Sequence, residues 1–234
     1  MISYPLKMGT IAGNLEIVTQ RIISACVKSG RLEEDVRLVC VTKEVGPGEI
    51  EEVLGLGVRD IGENRVPDAS IKYKVIGDRA VWHMVGHLQT NKVKDAVRIF
   101  SLIHSVDSAR LARAIDRESE RIGKVQDVLI QVNTSGESTK FGIGPDEVAG
   151  LFKDISLCQN INIKGLMTIA PEVDDPETVR PYFRKLRELR DTINSIPYTP
   201  YPIPELSMGM TGDLEVAIEE GATMIRVGRA IFKD

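Results

Sequence analysis

Hydrophobic residues along the chain follow two alternating patterns, short apolar runs and longer stretches with helical spacing. The first helical stretch extends from about Gly9 to Ser29, and Gly30 follows it as a stop signal. Its apolar positions recur every three or four residues, at Ile11, Leu15, Val18, Ile22 and Ala25. This spacing predicts an amphipathic helix that buries one face.

The rest of the chain predicts eight short buried strands separated by helices. The strands are expected at 36–41, 58–61, 80–85, 100–105, 125–132, 161–169, 205–208 and 222–227. Alternation of this kind indicates parallel strands joined by right-handed crossovers. The sequence therefore predicts an α/β fold, a single (β/α)8 TIM barrel with an extra N-terminal helix. We expect one domain over 1–234, in which 1–30 form the helix packed on the barrel.

An open, doubly wound sheet is the competing architecture, and it predicts a glycine-rich fingerprint at its first strand-to-helix turn. The corresponding turn here is Gly46-Pro47-Gly48-Glu49-Ile50-Glu51, with glutamate where the third glycine belongs. No other turn of this kind carries the fingerprint, so the pattern disfavours a dinucleotide-binding sheet.

Composition narrows the class of partner. The formal net charge is -4 and no segment is strongly basic, which argues against a nucleic-acid or anionic-membrane partner. There is neither a long apolar run nor a signal peptide. The three cysteines, Cys26, Cys40 and Cys158, are odd in number and share no short spacing. We therefore expect reduced thiols, no metal site, and a cytoplasmic protein.

Lys43 is the first candidate for chemistry, because it follows a buried strand directly. Burial lowers the pKa of an ammonium group, and a neutral lysine can form a Schiff base with an aldehyde. The alternative is a lysine whose side chain reaches water from the end of the strand. On this stretch alone the alternative is favoured.

The other strand ends add the remaining chemistry, because active sites of barrels lie at the carboxyl ends of their strands. The last two loops, 207–213 and 226–229, contain glycine and hydroxyl residues and lead into helices, as phosphate sites do. Lys43 and these loops together suit a ligand with an aldehyde and a phosphate, such as pyridoxal 5′-phosphate (PLP). The second possibility is another phosphorylated metabolite, with Lys43 as a general base or a Schiff-base lysine.

Seven stretches carry a resemblance to a known family. They are Val41–Lys43, Gly62–Asn64, Trp82–Lys92, Lys140–Gly142, Lys164–Thr168, Leu206–Thr211 and Arg226–Phe232. In this order they resemble the pyridoxal phosphate homeostasis protein family, the single-barrel relatives of the alanine racemase N-terminal domain. Thr211 replaces the family's usual serine, and two acidic residues that commonly follow are reduced to Gly212-Asp213.

The resemblance implies a set of contacts to PLP. Lys43 would hold the cofactor covalently as a Schiff base, with Asn64 and Met167 beside the ring, and His83 would form hydrogen bonds in the barrel mouth near the cofactor. The phosphate contacts would come from the 207–211 loop and the 226–229 loop, through Ser207, Met208, Gly209, Thr211 and Gly228.

Arg226 corresponds, by the resemblance, to an arginine that approaches the pyridine nitrogen of the cofactor. Arginine stays protonated and has no acceptor, so it would disfavour protonation of that nitrogen and weaken carbanion chemistry. The alternative for Arg226 is an ion pair, for example with Glu219 or Glu220.

Two functional classes remain. One is a PLP carrier or regulator in vitamin B6 and amino-acid homeostasis, without robust catalysis, which could serve PLP-requiring apo-enzymes. The other is an amino-acid racemase, which needs acid–base groups on both faces of the ring. In alanine racemase the opposing tyrosine comes from a second domain, for which the given sequence has no counterpart. None of the five tyrosines is expected at a strand end: Tyr4, Tyr73, Tyr182, Tyr198 and Tyr201. We therefore expect a monomer without efficient racemase activity.

Overall fold

Eight parallel strands close into a barrel in the computed structural model, which describes residues 9–195 and 202–233. Each strand pairs with the next along the chain, and the first pairs with the last. The strands are β1 Arg37–Val41, β2 Asp60–Glu63, β3 Val81–Met84, β4 Leu102–Val106, β5 Gln126–Gln131, β6 Ile161–Met167, β7 Glu205–Ser207 and β8 Met224–Val227. The predicted (β/α)8 barrel is confirmed.

Helices surround this barrel and precede it. They are α1 Ile11–Ser29, α2 Pro47–Gly55, α3 Val66–Ile76, α4 Val93–Ile99, α5 Ala109–Arg121, α6 Val148–Asp154, α7 Arg180–Asn194, α8 Leu214–Glu219 and α9 Arg229–Phe232. The Thr10 hydroxyl caps α1 by accepting from the Gly13 amide, and Gly30 ends the helix in the left-handed region at φ 68°. The extra helix α1 packs against α8 and α9.

The second strand differs from its predicted range. The apolar run predicted residues 58–61, whereas β2 begins at Asp60 and continues through Glu63. The Val58 amide donates to the Val53 carbonyl, so Val58 completes the end of α2 before the chain enters the sheet. An apolar residue in the sequence indicates a buried position, but it does not show whether that position ends a helix or begins a strand.

Side chains along the strands alternate between two apolar layers. One layer lies between the barrel and the helices, and Ile61, Ile103 and Leu206 belong to it. The other fills the barrel interior with Val39, Val85, Leu102, Leu129, Met167 and Met224. Residues that follow the strands therefore stand on a packed floor, which can hold them in position. None of the helices in the described ranges has the length and apolar character needed to cross a membrane.

Candidate functional site

A cavity of about 370 Å³ opens at the carboxyl end of the barrel. The predicted site residues that line it are Lys43, Asn64, Thr211, Arg226 and Gly228. They are separated by up to 185 positions in the sequence, and the parallel barrel brings them together because their strands all end at one face. Further residues of its wall come from the loop after β6 and from the 210–213 turn.

Lys43 lies on the cavity wall and is exposed, as expected for the alternative of a lysine that reaches water from the end of the strand. Strand β1 ends at Val41, and the Val45 amide then donates to the Thr42 carbonyl, which turns the chain at the rim. Burial at the strand end therefore does not explain reactivity of this amine. What remains is the position of the amine at the mouth of the cavity.

Five other predicted contact residues lie outside the cavity lining. His83, Met167 and Ser207 are fully buried, and Met167 belongs to the apolar cluster of the barrel interior. Met208 packs in the outer layer, because neighbouring positions on a strand face opposite sides. The prediction that His83 lies in the barrel mouth is corrected: its Nε2 is 2.8 Å from Asp60 Oδ1, at the amino end of β2.

Gly209 and Gly228 allow the 207–213 and 226–229 loops to pass close to α8 and β1. Gly209 has φ 93°, and a Cβ there would lie 2.5 Å from the Cβ of Ala217. A Cβ on Gly228 would lie 2.9 Å from the Val41 carbonyl oxygen. Gly209 supports the wall from behind, whereas Gly228 lines it. Loops of this kind can present backbone amides to an anion, so these residues fit a phosphate group.

Arg226 is a buried cation whose hydrogen-bond partners among the described residues are neutral oxygens. Its guanidinium donates to Ser207 Oγ at 2.5 Å and to the Thr168 carbonyl at 2.8 Å. Within the described ranges it forms no ion pair, and burial lowers its pKa to about 10 although the more distant Asp213 opposes the shift. The alternative partners, Glu219 and Glu220, instead pair with arginines of α7 such as Arg180. The positive charge of Arg226 therefore stays available at the cavity.

A chain of hydrogen bonds continues from Arg226 across the barrel interior. Ser207 Oγ lies 2.9 Å from His104 Nδ1, and His104 Nε2 lies 2.9 Å from His83 Nδ1. His83 Nε2 then meets the Asp60 carboxylate. Burial lowers the pKa of His104 well below its usual range, so its imidazole is neutral.

The two ends of this chain assign the direction of their own bonds. A carboxylate only accepts, so His83 Nε2–H donates to Asp60. At the other end, the Arg226 guanidinium donates to Ser207 Oγ. We call Arg226, Ser207, His104, His83 and Asp60 the interior polar chain.

Sequence reasoning missed His104 and Asp60. The available signal was a histidine in the fourth apolar run, whose side chain must point into a closed barrel if Ile103 points out. Asp60 gave no such signal: it is the third residue of the predicted 58–61 strand, whereas in the structure it begins β2.

A second buried polar group fastens the ends of β1 and β2. Lys72 Nζ donates to Glu63 Oε1 at 2.7 Å and to the Thr42 carbonyl at 2.6 Å. The Thr42 hydroxyl donates to the same carboxylate at 2.5 Å. Thr42 and Glu63 directly precede Lys43 and Asn64, so this cluster holds the two backbone segments from which those residues reach the cavity.

Comparison with known proteins assigns the chain to a family. The sequence matches the alanine racemase N-terminal domain family over residues 25–234. A pyridoxal phosphate homeostasis protein from Aquifex aeolicus is 46% identical over 219 residues, covering 93% of this chain and 95% of that protein. This chain belongs to the pyridoxal phosphate homeostasis protein family. The family resemblance predicted from the seven stretches is confirmed.

Solved structures of similar proteins share the fold along their whole length. An unknown protein from Bifidobacterium adolescentis is 38% identical with a TM-score of 0.89, covering 95% of this chain and 94% of that one. PipY of Synechococcus elongatus, determined with PLP bound, is 33% identical with a TM-score of 0.81. That match covers 95% of this chain and 100% of PipY.

Proposed function

We propose that this protein binds PLP in the cavity at the carboxyl end of the barrel and serves PLP (vitamin B6) and amino-acid homeostasis. The observation that carries the proposal is the convergence of Lys43, unpaired Arg226 and the Gly228 loop on one cavity. Membership of the homeostasis family and the PLP-bound structure of PipY support it. Another phosphorylated metabolite would use the glycine loops in the same way, and the PLP-bound structure of PipY favours PLP.

Each residue of this cavity has a role in the proposal. Bound PLP supplies an aldehyde and an electron-accepting ring, and the Lys43 amine is placed to bind the aldehyde covalently. Asn64 flanks the ring, while Thr211 and the backbone near Gly228 bind the phosphate. Arg226 donates toward the pyridine nitrogen.

The remaining predicted residues support the cavity without lining it. Ser207 orients Arg226 by accepting its hydrogen bond, His83 belongs to the same interior polar chain, and Met167 contributes to the apolar floor. Met208 and Gly209 shape the loop that carries Thr211.

We further propose that the protein does not catalyse amino-acid turnover robustly. Arg226 opposes protonation of the pyridine nitrogen, which weakens stabilisation of a carbanion. Of the tyrosines that the structure describes, Tyr73 donates its hydroxyl to Asp78 and Tyr182 lies on α7, and neither lines the cavity. Tyr4, Tyr198 and Tyr201 lie outside the described residues.

The racemase alternative has a direct test. We expect the PLP-loaded protein to interconvert L- and D-alanine far below about 1 s⁻¹, the lower end of ordinary turnover numbers. Chiral chromatography of an alanine incubation measures this rate. Turnover in the usual enzyme range would replace the carrier function with the racemase function.

The proposal also includes a monomer in the cytoplasm that can supply PLP-requiring apo-enzymes. Cys26, Cys40 and Cys158 are free thiols, as expected in a reducing compartment. Light scattering after size-exclusion chromatography tests the oligomeric state, and transfer of PLP to an apo-enzyme in excess tests the carrier role.

The decisive experiment is visible absorbance followed by borohydride reduction and peptide mapping. We expect a yellow protein whose reduced pyridoxyl group maps to Lys43. Lys43→Ala should lose the covalent label but keep weaker, phosphate-anchored binding. The matched control is Lys94→Ala, an exposed lysine of α4 outside the cavity lining, which should label normally. A label on another lysine would contradict the assignment of Lys43.

A further inference from the structure

We propose that a second cavity, beside the PLP cavity, binds a small organic anion through its carboxylate or phosphate group. This cavity measures about 350 Å³, within the range of roughly 300–1,000 Å³ that is usual for small-molecule sites. Its wall includes Asn64, Arg65, His87, Gln89 and Lys92, at the carboxyl ends of β2 and β3. Most of these residues come from the 82–92 motif, which PLP binding leaves without an explanation.

The charged residues that line this cavity, Arg65 and Lys92, are both basic, and none of its lining residues is acidic. The nearest carboxylate of the described chain to Arg65 is that of Asp68, at 3.9 Å, and Lys92 has no ion pair there. By contrast, Arg21 is closely paired with Glu215 at 2.6 Å. Because Lys92 has no carboxylate partner among the described residues and the contact of Arg65 to Asp68 is long, both side chains can bind an anion.

Two neutral polar side chains point to the same conclusion. Among the residues that the structure describes, the side-chain amides of Asn64 and Gln89 make no hydrogen bond to protein, although both residues line the cavity. Amide groups at the wall of a cavity can orient a bound oxyanion by donating hydrogen bonds to it. The first turn of α3 also borders the cavity, and negative charge is favoured at that end of a helix.

The rest of the wall is apolar, so the ligand should carry more than its anionic group. Val66, Met84 and Leu88 are buried beneath the cavity. The His87 ring stacks on Phe141 with centroids 4.1 Å apart and an interplanar angle of 11°, while Phe141 is 57% exposed. On its other side His87 Nδ1 lies 3.5 Å from Asp107. These contacts hold the imidazole in place at the edge of the cavity.

His87 also provides a reporter that does not depend on PLP. The chain has three histidines, and His83 and His104 are fully buried in the barrel interior. Ring NMR signals of His87 can therefore be followed while the full-length protein is titrated with inorganic phosphate or, separately, with isovalerate. Isovalerate is a carboxylate without an amine, so it cannot react with the PLP aldehyde. Sodium chloride at matched ionic strength gives the background shift.

We expect at least one of the two anions to shift the His87 signals saturably beyond the chloride background. Saturation by phosphate would identify a phosphate ligand, and saturation by isovalerate a carboxylate ligand. The double variant Arg65→Gln/Lys92→Gln should bind at least about tenfold more weakly, because two charge-assisted hydrogen bonds are lost. Lys94→Gln, outside the cavity lining, should bind as the unchanged protein does.

Unchanged signals of His83 and His104 in the double variant will show that the barrel is intact. Two results would overturn the proposal. One is that neither anion produces a saturable shift beyond that of chloride, and the other is equal affinity in the double variant.

Discussion

Lys72 and Arg226 are both buried cations near the carboxyl end of the barrel, but the protein treats their charges differently. Lys72 lies outside the barrel wall and meets the Glu63 carboxylate at 2.7 Å. Among the described residues, Arg226 donates hydrogen bonds to the hydroxyl of Ser207 and the carbonyl of Thr168. Arg226 also lines the cavity at the carboxyl end of the barrel, whereas Lys72 does not. A cation that is paired with a carboxylate stabilises the fold. A cation whose partners are neutral can still attract an anionic or electron-rich ligand.

The two cations also differ in where their countercharge lies. For Lys72 it is in direct contact. For Arg226 the carboxylate that acts on its charge is that of Asp213, which is not among its hydrogen-bond partners. The Ser207 hydroxyl and the Thr168 carbonyl are neutral, so they stabilise the guanidinium through their dipoles without neutralising it. Three substitutions test this comparison.

The largest effect is expected from Lys72→Met. It leaves the Glu63 carboxylate fully buried without its cation, which typically costs about 3–5 kcal/mol of unfolding free energy. Urea denaturation measures the loss. The control is Lys72→Met/Glu63→Gln, which removes the stranded charge and should recover much of it. Equal losses in the single and double variants would show that the ion pair is not the cause.

Arg226→Met should destabilise less but bind PLP much more weakly. It strands only neutral acceptors, so we expect a loss of about 1–3 kcal/mol in unfolding free energy. The affinity for PLP should fall by at least about tenfold, because a charge-assisted contact to the ligand disappears. Parallel urea denaturation and absorbance titration with PLP separate the two effects. A variant as unstable as Lys72→Met, with unchanged PLP affinity, would remove the distinction between the two cations.

The third and smallest expected effect is a change in how the unfolding free energy of His104→Phe depends on pH. Burial lowers the pKa of His104 in the folded protein, whereas the pKa of a histidine in an unfolded chain is about 6.5. Below that pH the unfolded state binds a proton that the folded state excludes, so the unchanged protein loses up to about 1.4 kcal/mol per pH unit from this group.

His104→Phe lacks this contribution, so its stability should approach that of the unchanged protein as the pH falls from 7.5 toward 5. Urea denaturation at a series of pH values measures the difference between the two proteins, which cancels the titration of other groups. A constant difference across this range would mean that His104 is not held neutral by the fold.

The fold was largely predictable because burial repeats with the period of each element. Eight apolar runs alternating with amphipathic stretches suffice for a parallel barrel, and only boundaries such as the start of β2 required the hydrogen bonds themselves. That the candidate residues at the strand ends would lie close together was predictable for the same reason. Lys43, Asn64, Thr211, Arg226 and Gly228 all lie around the cavity that their positions implied.

The partners of these residues were not predictable, because they come from distant parts of the chain. Ser207 was expected to bind phosphate through its hydroxyl, which in the structure joins His104 to Arg226 instead. Lys72 belongs to α3, and its side chain is buried against Glu63. Pairings of this kind depend on the register of the barrel and on how helices pack over it.

The sequence by itself determined the barrel, the family and the end of the barrel where chemistry is placed, since each follows from local spacing and from short motifs. Only the tertiary structure decided which charges are neutralised and which remain for a ligand. Arg226 shows the difference most clearly: the sequence left an ion pair with Glu219 or Glu220 open, whereas the folded barrel buries the guanidinium against Ser207 and Thr168. Burial and pairing depend on the distances between side chains that are remote in sequence, and these distances exist only once the barrel has closed.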